Sequence, residues 1–293
     1  MPRLVAVQGE VGSDGRCDHI GPGLEGWPTE YESFSFPIYR HPADNSPPLR
    51  SWTPTVAIAR EHVERVIGHP VNHVLIQYYR TGSDYISEHS DKTLDIVQGT
   101  SIVNVSVGAQ REMALRRKRD PNVRPPPRTS STSTVPITSR MRAELADREG
   151  REKVVVPLPH NSMFVLGKRI GCDSPTAGSI FSGLETNKHW VHGISQDKRR
   201  LAEKSPAETA NNGARISLTF RHIGTFLSAD ENLIWGQGAT SKTKERAKPT
   251  VSGDPGRLIR AMGYENQRSD FNWARAYGGG FDFLHFERYT ASD

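Results

Sequence analysis

The segment YISEHSDKTLD, residues 85–95, carries a histidine and an aspartate one residue apart, His89 and Asp91, at the end of an extended, β-branched stretch. In a strand such residues project to one face, roughly 6–7 Å apart along the backbone, close enough to grip one metal ion. Farther along, NKHWVHGI offers two more imidazoles, His189 and His192. RISLTFR then sets Arg215 and Arg221 on one face of a strand, where two forked guanidinium groups can converge on a small dicarboxylate. Two histidines and one carboxylate leave coordination positions open for a chelating ligand and a further reactant; a closed four-ligand site does not. Cys17 and Cys172 lie far apart and form no CxxC pair, so the ligands of any metal are nitrogen and oxygen.

These residues need a scaffold, and 293 residues with 35% hydrophobic composition can supply one large domain or two small ones. No apolar run reaches the length of a membrane span, and MPRLVAVQGE lacks the features of a signal peptide, so an intracellular, cytoplasmic protein without a membrane partner is expected. The net charge of +5 suits an anionic partner. Much of the excess sits in REMALRRKRDPNVRPPPR, which reads either as a solvated charged loop or as a phosphate contact. Residues 11–50, rich in Gly, Pro and Ser, read as irregular structure with a hairpin. SWTPTVAIAREHVERVIGHP then predicts a helix capped by Thr53, with Pro54 in its first turn, an apolar stripe of Val56, Ala59, Val63 and Val66, and Gly68 and Pro70 at its end. Short strands follow at VNHVLIQYY, SIVNVSVG, KVVVPL, SMFVLG, HWVHGI and ARISLTFRHI. One helix followed by such a series suggests an antiparallel sandwich or barrel with helical support. A short helix is expected at SRMRAELADREG and another at DPGRLIRAMGYEN, and the aromatic tail NWARAYGGGFDFLHFERY is expected to pack on the sandwich.

Taken in this order, WTPTVAIAREHVERVIGHPVNHVLIQYYRTGSDYISEHSD, GTSIVNVSVGAQREMALRRK, VVVPLPHNSMFVLG, HWVHGI and RISLTFR resemble an AlkB-type Fe(II)/2-oxoglutarate-dependent dioxygenase. The resemblance implies an α+β, mainly β fold whose double-stranded β-helix core, a jelly roll of cupin-like form, is flanked by supporting helices. That core would occupy residues 51–224 with insertions at 119–150 and 196–213, after a lid-like segment 1–50 and before an extension 225–293 packed on it. It implies His89, Asp91 and His192 as the iron ligands. His192 is preferred to His189 because the family's ligand follows an apolar or aromatic pair, here Trp190-Val191. Gln77, Tyr79, Arg215, Ser217 and Arg221 fall on positions that serve 2-oxoglutarate. Gln77 and Ser217 stand where the family has asparagine, and both keep hydrogen-bonding capacity.

The implied reaction couples decarboxylation of 2-oxoglutarate by O2 to oxidation of a C–H bond: hydroxylation, oxidative demethylation or ring closure. Two departures bear on the substrate. Thr93 stands where dealkylating members carry an acidic residue, and the chain begins within the region that holds their lid and duplex-opening finger. The reading placed first is therefore a small organic, aromatic substrate of specialised metabolism, set in a pocket formed with WPTEYESFSFPIY. The alternative is oxidative dealkylation of methylated DNA or RNA bases, with single-stranded nucleic acid as partner and a nuclear location. The sequence leaves the oligomeric state open.

Overall fold

Alternation with period two decides which face of the central sheet each side chain occupies, and it does so in every strand that reaches the site. The computed structural model describes residues 3–9, 35–42, 49–121, 150–167, 181–182, 184–252 and 255–284. Its strands are β1 (Arg3–Gly9), β2 (Ser35–Pro37), β3 (Leu49–Arg50), β4 (His73–Tyr79), β5 (Ile86–His89), β6 (Ile102–Gly108), β7 (Arg111–Arg117), β8 (Lys153–Leu158), β9 (Ser162–Gly167), β10 (Phe181–Ser182), β11 (Trp190–Ile194), β12 (Arg215–Arg221), β13 (Thr225–Ser228), β14 (Leu233–Gly236) and β15 (Lys248–Pro249). The helices are α1 (Pro54–Ile67), α2 (Leu184–His189), α3 (Pro206–Thr209), α4 (Gly256–Gln267) and α5 (Trp273–Tyr277).

A seven-stranded sheet runs in the order β10-β9-β6-β12-β4-β1-β3, and a four-stranded sheet in the order β5-β11-β7-β8 faces it. On β4, β6 and β12, residues Val74, Ile76, Val103, Leu218 and Phe220 turn outward and pack under Val56 and Val63 of α1. The opposite parity turns inward, where Ile102, Phe164 and Leu166 meet Met113, Leu115, Val156, Leu158 and Ile194 of the smaller sheet. This is the expected double-stranded β-helix, mainly β with helices laid against it.

Helix α1 begins as expected, with Thr53 in the N-cap position and proline in the first turn, and it ends at Gly68 with φ +73°. Its stripe departs from the expectation at one point. Val66 is half exposed, and Ile67, four residues after Val63, packs on the sheet instead.

Residues 1–50, expected to be irregular, contain β1, β2 and β3 among the described residues. β1 pairs with β4 and β3 and so extends the large sheet. The charged stretch beginning at Arg111 is likewise not a loop at its start. It forms β7, whose Met113, Ala114 and Leu115 are buried. The expected helix at 139–150 falls almost wholly outside the described residues. The 196–213 insertion holds α3, closed by a reciprocal Ser205–Glu208 capping box, between two short 3-10 turns.

Beyond the core, β15-β14-β13-β2 form a third sheet. Helices α4 and α5 close over Leu94 through Leu258, Met262, Tyr277 and Phe281, so the described part of the aromatic tail is packing. One buried ion pair ties these pieces together. Arg40 holds Asp95 and also donates to the carbonyls of Gly238 at 2.9 Å and Phe281 at 2.6 Å. No described helix is long and apolar enough to cross a membrane.

Removing one partner of a buried pair strands the other charge, which costs about 3–5 kcal/mol. Arg40→Ala is therefore expected to lower unfolding free energy by about that amount in a urea titration, and a change below about 1 kcal/mol would contradict this role for the pair.

Candidate active site

His89 ends β5 and His192 sits in the middle of β11, and the two are direct register partners. Their rings lie 4.5 Å apart, inclined at 50°. The pairing passes through a bulge between His192 and Ile194. There β5 runs so close to Gly193 that a Cβ on that residue would lie 2.8 Å from the Ile86 carbonyl oxygen and 2.9 Å from the Glu88 nitrogen. Glycine is required by that approach, and the bulge turns His89 toward its partner.

Asp91 is not placed by the strand. β5 stops at His89, and the expected alternation of His89 and Asp91 along one strand is corrected here. The Asp91 backbone is instead paired to the side-chain amide of Asn187, on α2. Its N–H donates to Asn187 Oδ1 at 3.0 Å, and Asn187 Nδ2 donates to its carbonyl at 2.8 Å. Arg221 at the end of β12 then takes the carboxylate, giving two hydrogen bonds to Oδ2 at 3.2 and 3.0 Å. Oδ1 faces His89 Nε2 at 4.0 Å. One potential ligand atom from each of His89, Asp91 and His192 lies within 4.8 Å of the other two. His189 ends α2, where its carbonyl accepts the Lys118 N–H at 2.7 Å, and it is not part of this group.

The protonation states favour a cation. Burial pushes the Asp91 carboxyl up, but Arg221, His192 and His89 outweigh it and hold the group below the usual carboxylate range. Burial, reinforced by His89, lowers His192 to about 3, and burial also lowers His89. Both imidazoles are therefore neutral near pH 7, with a lone pair to offer. Nδ1 of His89 lies 2.8 Å from the Ser87 carbonyl, to which it must donate, which leaves Nε2 as the ligating nitrogen.

A cleft of about 490 Å³, counted to its open mouth, lies over this group. Gln77, Tyr79, Arg215, Ser217 and Arg221, the positions expected from sequence to serve 2-oxoglutarate, all line it, although Arg221 is engaged by Asp91. Arg215 is almost fully buried, with Nε donating to Ser106 Oγ at 2.7 Å and Nη2 to Asn104 Oδ1 at 3.0 Å. Its guanidinium lies over the Tyr79 ring, 5.0 Å from the centroid. Burial lowers Arg215 to about 10, so it remains a cation at neutral pH. Its Nη1 is buried without a hydrogen-bond partner among the described residues. A buried cationic donor left over in this way fits an anionic ligand such as a carboxylate. The residues present therefore suit both a divalent ion and a dicarboxylate.

Some site residues escaped the sequence reading. Asn104 donates to Ser217 Oγ at 2.7 Å and Thr219 Oγ1 at 3.1 Å while accepting from Arg215, so it orders the cleft floor. Asn104 and Ser106 are polar residues at the inward parity of a strand otherwise rich in valine, and that signal was available. Asn187 carried none. Thr93 does not line the cleft; its hydroxyl bonds to Glu265.

A model of the 2OG-Fe(II) oxygenase superfamily matches residues 29–170, the span that carries His89 and Asp91. Over that span, just under half of the chain, it is similar to this superfamily. The relatives it matches are AlkB-type enzymes. It is 28% identical over 174 residues to the DNA oxidative demethylase ALKBH2 of Homo sapiens, covering 59% of this chain and 48% of that protein. It is 23% identical over 176 residues to the alpha-ketoglutarate-dependent dioxygenase alkB homolog 3 of Bos taurus, covering 60% and 45%. The chain thus spans about half the length of the curated relatives it matches. The solved structure of OsALKBH1 aligns with 63% of this chain and 72% of that one at 16% identity and a TM-score of 0.30. The family's cofactors are Fe(II), 2-oxoglutarate and O2.

Replacing Arg215 by methionine removes a charge-assisted contact worth about 1.5–3 kcal/mol, or roughly 10- to 100-fold in affinity. The expected result is a 2-oxoglutarate KM raised by about that factor with divalent-metal binding unchanged, measured by succinate formation and by metal titration.

Proposed function

We propose that this enzyme oxidatively dealkylates methylated bases of DNA or RNA. The observation that carries the oxidative chemistry is the convergence of His89, Asp91 and His192 beneath an open cleft that also presents the leftover Arg215 donor. The substrate class rests on the relatives, which are named as DNA demethylases. The cleft is open to solvent, so its volume does not separate an extruded nucleobase from a small aromatic molecule and does not favour the specialised-metabolism reading placed first from sequence.

When bound, Fe(II), 2-oxoglutarate and O2 supply the oxidation of a C–H bond, with 2-oxoglutarate converted to succinate and CO2. The chain's own residues bind and orient. His89 and His192 offer neutral nitrogens, and Asp91 supplies the negative charge. Arg221 fixes which carboxylate oxygen faces the ion, while Arg215, Tyr79, Gln77 and Ser217 hold the dicarboxylate at the far end of the cleft. Hydroxylation of an N-methyl carbon gives an N–CH2OH group, which releases formaldehyde and restores the N–H. We take residues 51–224 as the catalytic unit, with 1–50 and 225–293 as flanks. A nucleic-acid substrate places the enzyme where nucleic acid resides, the nucleus in a nucleated cell.

Several basic residues expected to touch phosphate are engaged within the fold. Arg116 pairs with Glu88 at 3.0 Å, Lys118 is buried, and Arg111 donates to the carbonyls of Thr81, Gly82, Asp84 and Ser195. Phosphate contacts are therefore sought at basic residues of the +5 chain other than these three.

The test compares N-methylated single- and double-stranded oligonucleotides with aromatic methyl ethers, following formaldehyde and succinate. The expected outcome is oligonucleotide turnover whose binding weakens with salt, at a log–log slope of about −0.7 per phosphate contact on single strands. Turnover of the ethers without turnover of any oligonucleotide would reverse the assignment. His89→Ala is expected to abolish substrate-dependent succinate formation, and full activity in that variant would remove it from the metal site.

A further inference from the structure

Residues 90–94 carry Asp91 outside any strand, so a sheet ladder cannot hold them in place. Asn187 and Tyr39 each contribute, the latter by accepting the Lys92 N–H at 3.0 Å. The larger share of the contacts comes from the C-terminal helices. Asn266 Oδ1 accepts from the Ser90 N–H at 2.8 Å and from Lys92 Nζ at 2.9 Å, bracketing Asp91 on both sides. Glu265 accepts from the Thr93 N–H at 3.1 Å and from the Thr93 hydroxyl. Trp273 Nε1 donates to the Thr93 carbonyl at 3.1 Å, and Leu94 is sealed in the α4–α5 cluster.

The same helix is tied to the strand that carries the other side of the site. Lys118, just after β7, donates Nζ to the Glu265 carbonyl at 2.6 Å, and its N–H goes to His189, three residues before His192. Tyr277 OH donates to Glu265 Oε2 at 2.8 Å. Glu265 is buried, as are Lys92 and Lys118. Neither Glu265 nor Asn266 lines the cleft. A set of buried charges this costly is poorly explained as stabilisation alone, because apolar replacements of similar volume are often as stable. Its contacts converge on the four residues around one carboxylate.

Building on the metal-site reading above, we propose that α4 is a positioning element of the metal centre, with Glu265 and Asn266 fixing residues 90–93 so that Asp91 meets His89 and His192. Neither is a catalytic residue; they act through Asp91. Loss of an outer contact of this kind weakens metal binding by about 10- to 100-fold.

The test titrates the metal-free full chain with Co(II), read by visible absorption, alongside thermal unfolding. Asn266→Leu is expected to weaken Co(II) binding by about tenfold or more, whereas Asn266→Asp, which keeps the acceptor oxygen, stays within about twofold of the original chain. Thr93→Val, which removes only the hydroxyl contact, shifts affinity in the same direction by a smaller factor. Met262→Ala, on the same helix but in its apolar packing, lowers Tm and leaves Co(II) affinity within about twofold. Unchanged Co(II) affinity in Asn266→Leu, or an equal loss in Met262→Ala, would overturn the positioning role. In either case the unaltered chain still shows its Co(II) spectrum, whereas absence of that spectrum overturns the metal-site reading together with the positioning role.

Discussion

A buried carboxylate is tolerated only where its charge is met, and in this chain the site is organised around how that happens for Asp91. Arg221 reaches it from the central strand of the large sheet with both side chains nearly inaccessible, and the guanidinium is backed by the Tyr39 ring, 4.2 Å from the centroid. Because Arg221 engages a single oxygen, Oδ2, the other is left toward the histidines. The pair does two things at once: it keeps the anion ionised inside the protein, and it fixes which lone pairs face the cleft. Engaging one oxygen suits a site for a divalent ion, since an arginine forked across both would leave the carboxylate no oxygen facing the cleft.

How far the sequence reveals this site depends on which contacts place each residue. Arg215, Ser217 and Arg221 share a face because strands alternate, and their neighbours Leu218 and Phe220 show the opposite face packing on α1. That part was legible from one strand alone. So was α1, whose Pro54 start and Gly68 stop are local backbone chemistry. Asp91 was found for an incomplete reason. Spacing suggested a shared strand face, whereas Asn187, 96 residues away, sets the backbone that follows the strand. The basic stretch failed in another way: charge density suggested a loop, but the burial of Met113, Ala114 and Leu115 between arginines makes 111–117 a strand.

Thr93 illustrates the limit of reasoning by position. In sequence it is a hydroxyl where related enzymes carry an acid. In space, a carboxylate is present beside it, delivered by Glu265 from 172 residues farther on. The local chemistry changes from a lone hydroxyl to a hydroxyl bound to a carboxylate, and no window of sequence around residue 93 contains that information. The interaction also explains why the C-terminal helices are amphipathic toward the core: Leu258, Met262 and Glu265 lie on one turn-spaced stripe, apolar where it covers Leu94 and charged where it meets the segment that carries Asp91.

Gly193 gives the ligand set an unusual vulnerability. Because His89 and His192 sit on neighbouring strands and face each other only through the irregular pairing beside that glycine, their meeting is a matter of alignment as much as of identity. A methyl group at this one position would push β5 aside while leaving every ligand in the sequence and most of the hydrophobic interior undisturbed. Chains bearing such a change keep all three ligand residues in sequence while the pairing that brings the two imidazoles together is displaced. Inventories of ligand residues would count them as intact enzymes.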